Sequence, residues 1–327
     1  MTIVHLQSFL NISSLNRIEL LSAKLSDAMQ KNLDITCRTD EGFSFYENGF
    51  YTVLDRLCEY WNYNGNRITL ETNNWKESHP VYNVKQSAYS TDFAFLDIPR
   101  ITSEWTKEKT YGIFLGRSSI DRLYGIIKHK KFPFNNQGLS SFNQSIEGLE
   151  FRQIINLLEY RNVSIEDIIN IQPYSDIDSV RTVPITPPYN SDVKIWQHVY
   201  KQIAIELVFE TNQIDSAFQI TEKLLRPIAH KRPFIVVAPS GYLSDLRNIG
   251  FKTFDDHIPN WYDAFSGIDR VDNAFIVLQR LFENNVFDNL LSMCYADIEH
   301  NYNRLLELVK YHRDQQSKNK NYYNFSE

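Results

Sequence analysis

Glu222, Lys223 and Arg226 fall within one short segment, Thr221-Glu222-Lys223-Leu224-Leu225-Arg226-Pro227, and their types suit a phosphorylated ligand. On a helix, Glu222 and Arg226 are four apart and share a face, while Lys223 and Arg226 are three apart. A helix starting near Ile220 would turn its first amides outward with partial positive charge, beside a Lys and an Arg. That combination suits a diphosphate, and the glutamate can accept hydrogen bonds from ribose hydroxyls. The same spacing also describes a plain exposed helix with an i, i+4 Glu–Arg pair. Spacing alone leaves both readings open.

Other constellations carry less chemistry. Asp176-Ile177-Asp178 spells the DxD pattern that can hold a divalent metal, but it sits in a polar loop with no buried strand before it, and no metal is expected there. Asp255-Asp256-His257 offers metal ligands or an acid/base pair without an assigned role. Pro239-Ser240-Gly241 is not the G-x-S-x-G elbow of a serine nucleophile. The 8 histidines form no H-E-x-x-H. Two basic clusters, Lys128-His129-Lys130-Lys131 and Lys310-Tyr311-His312-Arg313, have aromatic neighbours (Phe132, Phe134, Tyr322 and Tyr323) and could track a nucleic-acid strand. Solvated helix ends are the simpler reading in a chain of net charge -6.

The elements that must position these residues read as α/β. With 327 residues, 43% hydrophobic and 14% aromatic, the chain suits two lobes with cores of their own. Leu15–Met29 and Phe50–Trp61 have helical apolar spacing, and Arg67–Thr72 follows the second as a strand after an Asn/Gly-rich turn. Asp92–Asp97 is a further short strand. Tyr111–Gly116 reads as a buried strand, and Arg117–Tyr124 as a turn entering a helix. Phe132–Gln144 and Gln172–Asp192 read as loops, with one or two helices between Ser145 and Ile171. From there a regular rhythm predicts strands at Ile203–Phe209, Pro233–Ala238 and Phe251–Phe254, with helices at Ile220–Ala229 and Gly241–Asn248. Such alternation implies a parallel, Rossmann-like sheet. The tail from Val271 through Gln316 is helical. The lobe boundary is placed near residue 105, giving one α/β lobe over 1–105 and a second α/β lobe with helical tail over 106–327.

Three scattered cysteines with no CxxC pair suggest neither a disulfide framework nor a zinc site, and point to a reducing compartment. The N-terminus lacks a signal-peptide pattern, and no apolar run is long enough to span a bilayer, so a cytoplasmic protein without an integral membrane segment is expected, in the host cell if the chain is viral.

The stretch from Glu206 to Phe254 resembles the fucosyltransferase-like glycosyltransferases of the GT-B class and their bacterial and viral relatives. The resemblance lies in Glu206-Leu207-Val208-Phe209-Glu210-Thr211, Ile220-Thr221-Glu222-Lys223-Leu224-Leu225-Arg226-Pro227-Ile228, Arg232-Pro233-Phe234-Ile235-Val236 and Leu243–Phe254. It covers about fifty residues and hardly touches the first hundred. It implies two Rossmann-like lobes in a GT-B-like arrangement, an acceptor-side lobe over 1–105 and a nucleotide-sugar-binding lobe over 106–327. A nucleotide sugar would serve as donor substrate, with no cofactor. By position Glu222 would face the ribose and Lys223 the phosphates, with Arg226 beside them. Gly116-Arg117 resembles the arginine at the start of the family's nucleotide-binding lobe, and Arg122 is the alternative for that role. Transfer would invert the anomeric centre without a metal, and a first-lobe carboxylate would be the base; Asp40, Glu41 and Asp92 are the candidates. A glycan is the default acceptor. The alternatives are a modified base in viral DNA, or a non-catalytic interaction protein that keeps a degenerate nucleotide pocket.

Overall fold

A computed structural model describes residues 2–5, 14–38, 49–72, 74, 76–86, 104–116, 119–142, 151–161, 163–171, 174–176, 190–210 and 217–319. Asp40, Glu41, the Asp92–Asp97 segment and Arg117 lie outside these residues. The chain divides into two compact units, one of Met1–Thr91 with Ile214–Gln219 and one of Asp92–Gln213 with Ile220–Glu327.

In the first unit, strands β1 (Thr2–His5), β2 (Ile35–Arg38), β3 (Ile68–Thr72) and β4 (Asn83–Gln86) form a parallel sheet in chain order. Because parallel crossovers are right-handed, this unreversed order sends successive connections to the same face. Helices α1 (Ser14–Gln30) and α2 (Phe50–Trp61) supply that cover. Leu25, Ala28 and Met29 of α1 and Phe50, Tyr51 and Leu54 of α2 enclose Ile35, Cys37, Ile68 and Leu70. Strand β3 shows the cause in its alternation, since Ile68, Leu70 and Thr72 are buried while Thr69 and Glu71 are half-buried. Helix α2 stops at Asn62, whose φ of 49° turns the chain left-handed while Tyr63 N donates back to Cys58 O at 2.8 Å.

The second unit holds β5 (Tyr111–Leu115), β6 (Gly138–Phe142), β7 (Tyr174–Ser175), β8 (Ile205–Phe209) and β9 (Phe234–Val237) in the order β7-β6-β5-β8-β9. All neighbours are parallel except β7, which runs antiparallel to β6. Strands β5, β6, β8 and β9 are buried along their full length, as a sheet covered on both faces requires. Helix α3 (Ile120–Lys131) connects β5 to β6, and with a long helix, Gly267–Glu283, it covers one face; Tyr111 bonds His129 of α3 and meets Phe282 edge-on. Between α3 and β8 come α4 (Phe151–Tyr160), α5 (Ile165–Ile169) and α6 (Asn190–Gln202). Trp196, Val199 and Tyr200 of α6 pack with Phe114 and Leu139 on the opposite face. The remaining helices are α7 (Glu222–Ala229), α8 (Tyr242–Asn248), α9 (the Gly267–Glu283 helix), α10 (Phe287–Met293) and α11 (Tyr295–Asn319). The mixed α/β class, the parallel sheets and the helical tail agree with the sequence reading.

Three expected elements differ, one of them Gln172–Asp192, which holds β7 and the start of α6 rather than only a loop. The Phe132–Gln144 stretch contains the interior strand β6 rather than only a loop. Its pattern is weak because small and polar residues fill it. A Cβ on Gly138 would meet Tyr111 Cζ at 2.6 Å, and buried Ser140 is satisfied by Asp176 Oδ2, which accepts from its amide (3.0 Å) and its hydroxyl (2.9 Å). Conversely, Phe251–Phe254 forms no strand. The side chain of Asn301 on α11 takes a strand's place there, accepting from Lys252 N at 2.7 Å and donating to Lys252 O at 2.9 Å, and Phe254 then turns left-handed with φ 61°.

Close approach also fixes Gly125 of α3, where a Cβ would lie 2.5 Å from Phe209 Cζ on β8. Gly125→Ala is expected to lower unfolding free energy by about 1–3 kcal/mol through overpacking, despite alanine's better helix propensity. Urea unfolding checks it, and an unchanged midpoint would mean that α3 shifts freely on β8.

Candidate functional site

The order β6-β5-β8 reverses the direction of winding between β5 and β8, and their connections leave for opposite faces of the sheet. In open parallel sheets the carboxyl ends of the strands at such a switch point form a ligand-binding crevice. The elements that meet there are the start of α3, the end of β8 and the start of α7.

Ser119 caps α3, its Oγ accepting from Arg122 N at 3.4 Å. Arg122 itself is only 3% exposed. Its Nη2 donates to Phe209 O at 3.4 Å and Glu210 O at 3.2 Å, so it ties the start of α3 to the end of β8 across the switch point. The arginine that was a candidate for holding phosphate thus braces the start of α3 on the end of β8.

Glu210 ends β8 in a fully buried place. Its Oε1 accepts from Thr221 N (3.1 Å) and from the Tyr242 hydroxyl (3.1 Å), and its Oε2 accepts from Thr221 Oγ1. Burial raises its pKa, against the opposing charge of Lys223 and the Thr221 bonds. Thr221 in turn caps α7, its Oγ1 accepting from Lys223 N at 3.3 Å. The amides of Thr221 and Lys223 therefore have side-chain partners within the chain, a Glu210 carboxylate oxygen and the Thr221 hydroxyl. Two of the amides expected to face a diphosphate are thus turned to side chains of the chain itself.

Lys223 Nζ lies 2.5 Å from Glu222 Oε1, with 17% and 39% of the two side chains exposed. Burial pushes the Glu222 carboxyl upward, but the Lys223 and Arg226 charges outweigh it and hold it down at about 2. Glu222 is therefore a carboxylate at any physiological pH. Arg226, one turn on, lays its guanidinium over the Trp196 ring at 4.7 Å, towards the α6 side. Beneath it, Glu206 of β8 is 3% exposed and accepts from the Tyr200 hydroxyl. Burial lifts Glu206 to about 8, with Tyr200 and Arg226 pulling the other way. Pro227 lies inside α7 without ending it.

The start of α8 is closed to ligands. Gly241 is left-handed (φ 74°), and Asp263 accepts from Leu243 N (2.9 Å) and Ser244 N (3.4 Å) while bound to Arg270 at 2.8 Å. Asp255 accepts from Thr253 Oγ1 (2.6 Å) and pairs with Arg247 (3.1 Å). Of the DxD pattern, Asp176 serves Ser140 as described above, and Asp178 lies outside the described residues. Among the described residues no group of three His, Cys, Asp or Glu gathers as metal ligands. No described helix is long and apolar enough to cross a membrane. In the first basic cluster, Lys128 pairs with Asp272 (2.9 Å) and Lys131 with Asp167 (2.6 Å), while His129 is buried against Tyr111 and pushed down to about 4. Those two lysines spend their charge on neighbouring acids.

The structure thus brings Glu222, Lys223 and Arg226 together on α7 and places Arg122 nearby as a brace. Two carboxyls that the sequence reading left without a role, Glu206 and Glu210, complete the arrangement. Their signal was present: a glutamate inside the apolar run Ile205-Glu206-Leu207-Val208-Phe209-Glu210 is costly unless something pairs it. Searches against protein-family models, curated proteins and solved structures found no match to this chain.

Proposed function

We propose that this protein is a glycosyltransferase that binds a nucleotide-sugar donor at the carboxyl edge of its second sheet. The supporting observation is the Lys223–Glu222 pair, half-sheltered at the first turn of α7 beside a switch point in a parallel sheet. Lys223 offers one mobile cation to a diphosphate, and Glu222, always ionised, accepts from ribose hydroxyls. In this reading the two units form a GT-B-like pair. An acceptor hydroxyl, glycan by default, attacks the anomeric carbon as the bond to the diphosphate oxygen breaks. A carboxylate of the first unit takes the acceptor's proton, and Lys223 offsets charge on the leaving nucleotide.

Thermal-shift titration with UDP-, GDP- and other nucleotide sugars tests this. At least one donor is expected to raise the melting temperature with concentration. Lys223→Ala is expected to weaken that donor by about 10–100-fold, the loss of one charged hydrogen bond. If no donor stabilises the wild type, the interaction-protein reading replaces this one. Undiminished binding by Lys223→Ala would leave the transferase standing but remove Lys223 from its site.

A further inference from the structure

Glu210, Thr221 and Tyr242 are all buried and all belong to the second unit. The backbone of Glu210 is held on two sides: its amide donates to Val237 O at the end of β9 (2.9 Å), and its carbonyl accepts from Arg122 Nη2 (3.2 Å). Its carboxylate accepts from Thr221 N, Thr221 Oγ1 and the Tyr242 hydroxyl, the first and last at 3.1 Å. Tyr242 opens α8. Before it, the left-handed Gly241 donates its amide to Asp263 O at 2.8 Å, which fixes where that helix starts.

A buried carboxylate is costly, and an apolar side chain would often fill such a place at lower cost. What the carboxylate adds here is direction. One of its oxygens takes the Thr221 amide and the other the Thr221 hydroxyl, so the α7 cap is fixed in orientation as well as in place. A hydroxyl has a single proton to donate. With that proton committed to Glu210 Oε2, Thr221 Oγ1 offers α7 a lone pair, and Lys223 N donates to it at 3.3 Å. The hold matters for the pair that follows. Successive residues on a helix do not face each other, so contact between Glu222 and Lys223 does not come from the helical repeat and depends on how the first turn is held.

We propose that Glu210, braced by Tyr242, is a positioning residue for the α7 site: through Thr221 it fixes the first turn that carries Glu222 and Lys223. Its relevance to ligand binding rests on the donor site proposed above, but its hold on the pair does not. Neither Glu210 nor Tyr242 need touch a ligand to act in this way.

The Glu222 carboxyl reports on the pair, because the Lys223 and Arg226 charges hold it down at about 2. In Glu210→Gln the glutamine oxygen can still accept from Thr221 N and Tyr242, but its N–H groups meet the Thr221 hydroxyl, which loses its acceptor. Glu222 is then expected to titrate upward, towards the ordinary 4.5, in carboxyl-resolved NMR. Loss of the Glu210 charge alone acts in the opposite direction, since the two carboxylates raise each other. A Glu222 titration that stays or falls in folded Glu210→Gln would therefore overturn the proposal. Tyr242→Phe keeps the ring and the charge balance, and is expected to move Glu222 the same way by less; no rise there would remove the brace. Backbone hydrogen exchange in the wild type needs no variant to fold. The Thr221 and Lys223 amides are expected to open together, with one denaturant dependence, and separate openings would overturn the hold. In Glu210→Gln the Lys223 amide is expected to exchange about tenfold faster while amides of β6 keep their rates. Equal acceleration of both would mean that Glu210 serves only the stability of the unit. Donor titrations on the same proteins separate the two ideas. A raised Glu222 titration in Glu210→Gln, with no donor binding by the wild type, would sink the transferase reading alone. Where the wild type binds a donor, equal affinity in Glu210→Gln would sink this proposal alone.

Discussion

Glu206→Gln is expected to make the protein more stable at neutral and alkaline pH and to flatten its stability across the range where Glu206 titrates. The carboxyl is buried in β8, and burial lifts it from 4.5 to about 8 even though the Tyr200 hydroxyl and the Arg226 charge favour its ionised form. The sign follows from proton counting. Between about 4.5 and 8 the folded state keeps a proton that the unfolded chain has released, so stability falls as pH rises through that window and levels off above it. Glutamine keeps an oxygen for Tyr200 and has no proton to lose. At pH 7 the gain is on the order of 3 kcal/mol, from about 1.4 kcal/mol per pH unit of displaced titration. Urea unfolding of both proteins at several pH values between 5 and 9 reads the difference. Parallel curves would show that Glu206 ionises in the fold as readily as in water, and that the space around it is wetter than its burial indicates.

That carboxyl also marks how far the sequence could be read. Helix α2 was legible to the residue because its apolar side chains repeat at helical spacing and a left-handed Asn62 stops it. Strands β5, β8 and β9 were legible because largely apolar runs of four or five residues, interrupted only by Gly112 and Glu206 and bounded by polar turns, suit a sheet covered on both faces. Strand β6 was not, since Gly138, Ser140 and Ser141 carry no hydrophobic signal and their fit depends on Tyr111, His129 and Asp176 from elsewhere. Helix α6 begins at Asn190, inside a segment that read as loop. At the site, the Glu222–Lys223 pair could be seen from adjacency alone. What closes the helix start could not, because Glu210 reaches Thr221 only through the fold, across eleven positions of sequence. Likewise Arg122 and Arg226 are arginines of the right spacing whose guanidinium groups find local partners, two main-chain carbonyls and the Trp196 ring. Sequence spacing identifies which charges share a helix, whereas burial decides which of them face a ligand.

Arg232→Met is expected to be the most damaging single change away from the site, at about 3–5 kcal/mol of unfolding free energy. Arg232 begins the Arg232-Pro233 entry to β9 and is 2% exposed. Its Nε donates to Tyr200 O and Ile203 O, both at 2.8 Å, where α6 gives way to β8. Its Nη2 donates to Glu104 O at 2.7 Å, and its Nη1 to Lys231 O at 3.1 Å. One planar fork therefore joins the end of α6, the segment before β5 and the turn after α7. Burial pulls its pKa down to about 10, which still leaves it charged at neutral pH, and the carbonyls at the α6 end favour that charge. Methionine fills much of the volume and leaves those carbonyls without their donor, each a desolvation cost. Lysine restores the charge but cannot fork, so Arg232→Lys is expected to recover only part of the loss. The second unit should also lose its grip on α6, whose Tyr200 binds Glu206 and whose Trp196 carries Arg226. Denaturant midpoints for the wild type and both variants measure the effect. A loss below about 1 kcal/mol in Arg232→Met would mean that water reaches these carbonyls and that the fork is incidental to the fold.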